Sequence, residues 1–146
     1  MSPFEYVMSQ FEQIELDLLA KEKINKSDRD LFLNNLNLKL GFKVLGKANF
    51  DSHFKSCFIE SQKSDTPYEH FCYIFHKAFR QIDICESFNK SMKIYRLDQE
   101  YKSSKLLTRD INCNSFFDSF IWSSLNSNNS FCEIVLNMFG EKNELL

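Results

Sequence analysis

Residues 2–18 read SPFEYVMSQFEQIELDL, and this stretch decides the fold that the sequence predicts. The Ser2 hydroxyl can accept a hydrogen bond from the backbone N–H of Glu5, while the Glu5 carboxylate reaches back to Ser2 as in a capping box. Pro3 takes the first helical position, where its missing N–H costs no hydrogen bond. Behind this start, apolar residues recur at helical spacing: Phe4, Val7, Met8, Phe11, Ile14 and Leu18. The stretch therefore predicts an amphipathic helix from residue 2 to about residue 22.

Start signals of this kind recur along the chain. Thr66-Pro67-Tyr68-Glu69 repeats the first one, and other capping residues precede apolar repeats at Ser27, at Asn49 or Asp51, at Ser115 and at Ser130. The glycine at position 140 is a stop signal. Together these signals predict further helices over residues 28–39, 49–62, 66–82, from 115 onward, and 130–140.

Glycine and proline are both scarce, with 3 and 2 copies in 146 residues. Sandwiches, barrels and Rossmann-type sheets need many tight turns and glycine-rich loops, so this scarcity favours helices. A chain of this length fits one domain of ordinary size. Because each amphipathic helix must bury its apolar side against others, the sequence predicts an all-α protein, a compact bundle of about six helices in a single domain over residues 1–146.

One stretch leaves an alternative open. Between Leu36 and Val44 apolar residues alternate with polar residues or glycine, which is the period of a strand. Gly41 could instead cap a helix over residues 28–39. The alternative fold is α+β, with a short strand pair near residues 36–45 and 91–97. We prefer the helix, because a strand at 36–45 needs a partner and only residues 91–97 offer one.

Composition and charge limit the classes of function that the protein can have. The 16 phenylalanines carry no polar group, so most of their rings should face a core or a partner. A net charge of −2 argues against a dedicated nucleic-acid binder, although lysine-rich stretches at 39–55 and 90–109 keep a weak basic surface open. Five cysteines at scattered spacings, without a signal peptide or a long apolar run, predict a cytoplasmic protein with free thiols and no membrane association.

Two histidine–cysteine pairs are the main candidates for chemistry. His53 precedes Cys57 by four residues, and Cys72 precedes His76 by four, so each pair projects from one side of a helix. If the two helices pack antiparallel, the four side chains meet and supply the ligands of a tetrahedral zinc site. Cys72 with His76 could also act as a nucleophile and its base. The alternative is that the cysteines are small buried apolar residues and the protein holds no cofactor.

The first helix and one tryptophan are the candidates for partner binding. Glu12 and Glu15 are predicted on the outer side of this helix with Leu16 among them, which would make an acidic surface with an apolar contact for a basic protein. Glu5 contributes least, because its carboxylate is committed to the cap. Trp122 is predicted to point away from its apolar neighbours, and exposed tryptophan is enriched at protein interfaces.

These features favour a binding protein over an enzyme. The sequence indicates an inhibitor of the immunity type, which would occlude the active site of a basic toxin or defence enzyme. One alternative is a viral Bcl-2-like helical modulator of host signalling, and another is a zinc- or thiol-dependent protein built on the two histidine–cysteine pairs. The acidic charge and the absence of a complete catalytic motif in the sequence support the first interpretation.

Overall fold

The structure, a computed structural model, describes residues 1–79 and 130–140. The described residues form helices, with short connections between the first four, and none of these residues lies in a strand. The all-α class is thereby confirmed. The helix predicted from Ser115 lies outside the described residues. In chain order the helices are α1 (Pro3–Leu19), α2 (Lys26–Leu45), α3 (Lys47–Ser61), α4 (Pro67–Phe79) and α5 (Ser130–Gly140).

Helix α2 lies at the centre of this bundle. Residues 35–42 are all buried, and α1, α3 and α5 all contact α2. The ring of Phe42 packs against one phenylalanine from each of the other four helices, with ring-centroid separations from 4.9 Å to 6.4 Å; these are Phe11, Phe50, Phe75 and Phe131. A shared aromatic core therefore joins the five described helices, as the phenylalanine content predicted for the rings in this part of the chain.

The boundary predicted at Gly41 is wrong. Helix α2 continues through Gly41 to Leu45, and Gly46 ends it with a φ of 92°. The strand alternative for residues 36–45 is wrong for the same reason, and its partner stretch at 91–97 lies outside the described residues. The alternation misled because Asn37 and Lys39 are buried like their apolar neighbours, so polar and apolar positions do not separate an outer from an inner side.

The starts of α2 and α3 also differ from the predictions. Asn25 caps α2 in a reciprocal capping box with Asp28, so Ser27 lies within the helix. Helix α3 begins directly after Gly46, without a side-chain cap. Asp51, predicted as a possible cap of its own helix, instead accepts a hydrogen bond of 2.7 Å from the backbone N–H of Phe4 in α1. The joint at Gly46 and the fixed end of α1 set the position of the candidate site.

The remaining predicted starts agree with the structure. At α1 the Ser2 hydroxyl accepts from the backbone N–H of Glu5 at 3.2 Å. Helix α4 begins at Pro67, where the Thr66 backbone N–H donates to the Ser64 hydroxyl at 3.1 Å. Helix α5 spans Ser130–Gly140, the range in which a helix was predicted.

Candidate docking surface on the first helix

The outer side of α1 presents an exposed leucine among acidic and polar residues. Leu16 is 61% exposed, and the neighbouring side chains on the same side of the helix are exposed as well: Glu12, Gln13 and Asp17. These four residues are called the α1 docking surface below. The Gln13 amide donates to the Asp17 carboxylate at 3.0 Å, and this hydrogen bond orders two side chains of the docking surface. Positions i, i+1, i+4 and i+5 make it one continuous patch.

Glu15 does not lie on this outer side, where it was predicted. Its carboxylate points inward and lies 2.7 Å from the Nζ of Lys39 on α2, in side chains that are 15% and 5% exposed. The helical period explains the difference, because Glu15 follows Phe11 by four residues and Met8 by seven, which places it on the inner side with them. Glu15 therefore belongs to the α1–α2 interface, and Leu16 is the side chain left outside.

The electrostatics of the docking surface are acidic. From Pro3 to Ala20 the chain has no lysine or arginine, and its carboxylates are Glu5, Glu12, Glu15 and Asp17. On the neighbouring α2, burial and then the nearby Lys39 ammonium lower the pKa of Lys43, while the charges of Glu12 and Glu15 oppose that shift. The charge of Glu12 therefore acts on Lys43, although the Glu12 side chain is exposed to solvent.

Contacts at its N-terminal end hold α1 in place. The backbone N–H of Phe4 donates to Asp51, and the Glu5 carboxylate lies 2.9 Å from the ammonium of Lys47. The hydrogen bond from Lys47, together with that from Ser2, lowers the pKa of the Glu5 carboxyl. Because these contacts come from two residues of α3, the start of α1 is fixed relative to that helix. The docking surface is therefore carried on an anchored element.

The lysine-rich stretch at 39–55 is not a continuous basic surface. Lys39 is buried against Glu15, and Lys47 is paired with Glu5. The second lysine-rich stretch, at 90–109, and the candidate interface residue Trp122 lie outside the described residues. Within residues 1–79 and 130–140, no helix combines the length and the apolar content that crossing a membrane requires.

The two histidine–cysteine pairs do not assemble into a metal-binding group. Cys57 and Cys72 are both buried thiols, His53 and His76 are half-buried, and the His53 ring packs against Phe75 at 5.3 Å. In the part of the chain that the structure describes, no three His, Cys, Asp or Glu side chains are close enough to hold one metal ion. Burial raises the pKa of the Cys57 thiol to about 11, so it stays protonated at neutral pH and is a poor nucleophile.

A cleft beside His53 was not predicted. It has a volume of about 410 Å³ and is lined by Leu45, Asn49, Ser52, His53 and Ser56. Burial lowers the pKa of His53, which favours the neutral imidazole. The sequence signal that could have predicted this cleft is the spacing of the four lining residues on α3, at i, i+3, i+4 and i+7, which places them on one side of the helix. The hydroxyl, amide and imidazole groups that line the cleft can exchange hydrogen bonds with a polar ligand.

Compared with protein-family models, with curated proteins and with solved structures, the chain matches none of them. The α1 docking surface therefore rests on its own geometry.

Proposed function

We propose that this chain is a protein-binding inhibitor of the immunity type, which uses the α1 docking surface to cover the basic active site of a partner toxin or defence enzyme. The observation that carries the proposal is the placement of Leu16, which is 61% exposed between the carboxylates of Glu12 and Asp17 while Glu15 is turned inward. The order of polar and apolar residues is reversed here relative to an ordinary amphipathic helix. Such a local departure from the pattern is expected at functional sites.

The chemistry of this surface suits a basic partner with an apolar pocket. Burying a leucine side chain on binding is worth about 1.5–3 kcal/mol, which makes Leu16 the anchor. The flanking carboxylates steer a positively charged surface toward it and reject acidic partners. Basic active sites are typical of enzymes that act on nucleic acids, because such sites must attract phosphates. Occlusion of that kind of active site needs binding alone and no catalytic group.

The proposal places the protein in the cytoplasm. Cys57 and Cys72 are buried thiols, which suits a reducing compartment. The Bcl-2-like alternative depends on an apolar groove, and the cleft described beside His53 does not supply one, because it is lined mainly by polar side chains. Within the zinc- or thiol-dependent alternative, the protonated state of Cys57 disfavours a nucleophilic role for that thiol.

The test is to isolate the partner and then to map the surface that binds it. The tagged chain is used to capture proteins from extracts of its source cells, and each candidate is purified and titrated against the chain by calorimetry. We expect Leu16→Ala and Glu12→Lys each to weaken binding by roughly tenfold or more, as at interface hot spots. Binding should also inhibit the activity of the partner.

Matched controls lie on other helices. Leu136 on α5 is 54% exposed, and Glu69 on α4 is exposed, so Leu136→Ala and Glu69→Lys repeat the same changes away from α1. We expect both control variants to bind as the wild type does. If Leu16→Ala and Glu12→Lys keep full affinity, or if the controls lose as much as they do, the α1 docking surface is not the binding site.

A further inference from the structure

We propose that His53 is a pH-sensitive switch in the contact between α3 and α4: its neutral ring lies against α4, and its protonated ring turns into the neighbouring cleft. The switch loosens part of the interface between the two helices in mild acid. It goes beyond the proposed function, because it involves neither α1 nor a partner. The two nitrogens of the His53 ring have different surroundings, and this difference carries the inference.

The neutral ring of His53 is held against α4. It packs on the Phe75 ring at a centroid separation of 5.3 Å, and the backbone of Phe75 accepts a hydrogen bond from the imidazole. In the described part of the chain, Nε2 of His53 is buried and has no hydrogen-bond partner, so the bond to Phe75 comes from Nδ1. The neutral imidazole therefore carries its proton on Nδ1 and has an unprotonated, buried Nε2.

A second proton makes this position unfavourable. It binds to Nε2, and an N–H group that is buried without an acceptor gives up its hydrogen bond to water and gains none in return. Burial, the larger effect, lowers the pKa of His53 and outweighs the hydrogen bond to Phe75, which raises it. A protonated ring is therefore stabilised by any movement that brings Nε2 to water or to an acceptor.

Within the described residues, no negative charge retains the protonated ring against α4. The titratable neighbours lie on the same side of α3 and beside Phe75 on α4: Cys57, Glu60, Cys72 and His76. Thiols and imidazoles carry no negative charge in mild acid, and burial raises the pKa of the Cys57 thiol to about 11. The Glu60 carboxylate pairs with Lys63 at 3.0 Å, and no described carboxylate is among the groups that shift the pKa of His53.

The cleft beside His53 supplies the second position for the ring. Its volume is about 410 Å³, and its other lining residues are Leu45, Asn49, Ser52 and Ser56. The Asn49 amide nitrogen donates to the Leu45 carbonyl at 3.1 Å, which leaves the Asn49 Oδ1 as an acceptor. The hydroxyls of Ser52 and Ser56 can accept as well, and both residues are exposed, so water also reaches the cleft. In the cleft the Nε2–H group is hydrated or hydrogen-bonded, whereas against α4 it is neither.

Movement of the ring removes two contacts between the helices. These are the hydrogen bond to the Phe75 backbone and the packing of His53 on the Phe75 ring. The contacts of Phe54 with Phe71 and Phe75 do not involve His53, so the two helices stay packed through them. We therefore expect local loosening of α4 around Phe75 and not separation of the helices.

The test follows the position of the ring by NMR. Nuclear Overhauser effects from the His53 ring protons are recorded at pH 7.5 and at the lower pH where the ring chemical shifts show that His53 is protonated. We expect contacts with the Phe75 ring at pH 7.5, and their loss in favour of contacts with the β-protons of Ser52 and Ser56 at the lower pH. Protection of the amides of residues 72–79 against exchange should fall at the same step in the wild type but not in His53→Gln.

A second variant closes the cleft. Ser56→Leu fills it with an apolar side chain, so we expect the titration midpoint of His53 to shift to lower pH and its contacts with Phe75 to persist. Ser52→Leu replaces this variant should it not fold. Ser27→Leu makes the same change at an exposed position of α2 and should leave the titration of His53 unchanged.

Three results would overturn the inference. The ring of the wild type could become protonated and keep its contacts with Phe75, or it could stay neutral until the whole protein unfolds. Equal titration midpoints in Ser56→Leu and Ser27→Leu would show that the cleft does not receive the ring. Because none of these measurements uses a partner, failure of the proposed function would leave them unaffected.

Discussion

At the scale of single residues, the unusual feature is a set of polar side chains inside α2. Asp28 is paired with Lys21 at 2.6 Å, and Lys39 is paired with Glu15. Asn35 is 5% exposed, and in the described part of the chain both polar atoms of its amide lack a hydrogen-bond partner. A buried amide in that state costs about 1–3 kcal/mol. The interior of α2 therefore carries a cost in stability at Asn35, while the ion pair of Lys39 with Glu15 joins α2 to α1.

His53 should make stability depend on pH near neutrality. Burial lowers the pKa of this imidazole below its ordinary value of 6.5, so the folded protein resists the proton that the unfolded chain accepts. The contribution of His53 to stability is complete above pH 6.5 and is lost as the pH falls through 6.5 toward the lower folded pKa. We expect the free energy of unfolding in urea to decline from pH 7.5 to pH 5 more steeply in the wild type than in His53→Gln. Parallel curves for the two proteins would contradict this assignment.

At the scale of helices, two kinds of interaction stabilise the helix N-termini: caps made within one helix and contacts made between helices. The Ser2 cap was predicted correctly, since all its atoms lie within four residues of sequence. The contact from Asp51 to the backbone of Phe4 joins residues 47 positions apart and could not be predicted. The inward position of Glu15 could have been read from its spacing to Phe11 and Met8, but its partner Lys39, 24 residues away, could not. Local hydrogen bonds can be read from sequence, whereas contacts between helices require the packing.

Asp51 should stabilise the start of α1, although it belongs to α3. Replacing Asp51 with alanine removes the acceptor for the Phe4 N–H at 2.7 Å, and we expect a loss of about 0.5–2 kcal/mol, as for a helix cap. Asp51→Asn keeps a side-chain oxygen in the same place and should retain most of that stability. Chemical denaturation followed by circular dichroism measures both. Equal losses in the two variants would indicate that the charge and not the hydrogen bond matters.

At the scale of the whole molecule, the aromatic core explains why composition alone predicted the fold class. With few glycines and prolines and with phenylalanines at helical spacing, the chain had helices as its main means of burying those rings. The central position of α2 was not predictable in this way. The middle of α2, residues 35–42, is buried throughout and has no separate polar side, so its pattern in sequence resembles a strand as much as a helix. The docking surface was predicted in part, with Glu12 and Leu16 placed correctly outside.

Phe42 should be the side chain whose loss harms the fold most. Its ring is fully buried and contacts rings from four other helices. We expect Phe42→Ala to cost about 3–5 kcal/mol, a large part of the 5–15 kcal/mol typical of a folded domain. Tyr73, an aromatic residue that is 61% exposed, provides the control, and Tyr73→Ala should change stability by less than about 0.5 kcal/mol. Urea denaturation compares the two, and similar losses would contradict a core centred on Phe42.

Gly46 is the single residue that connects α2 to α3. Its N–H donates to Phe42 at 3.0 Å and its carbonyl accepts from Phe50 at 2.9 Å, so one residue both ends α2 and begins α3. Its φ of 92° favours glycine as well. For protein engineering this means that a reporter peptide or a circular-permutation breakpoint belongs elsewhere. The connections at 20–23 and 62–66 are longer and mostly exposed, and insertions are tolerated best at such sites.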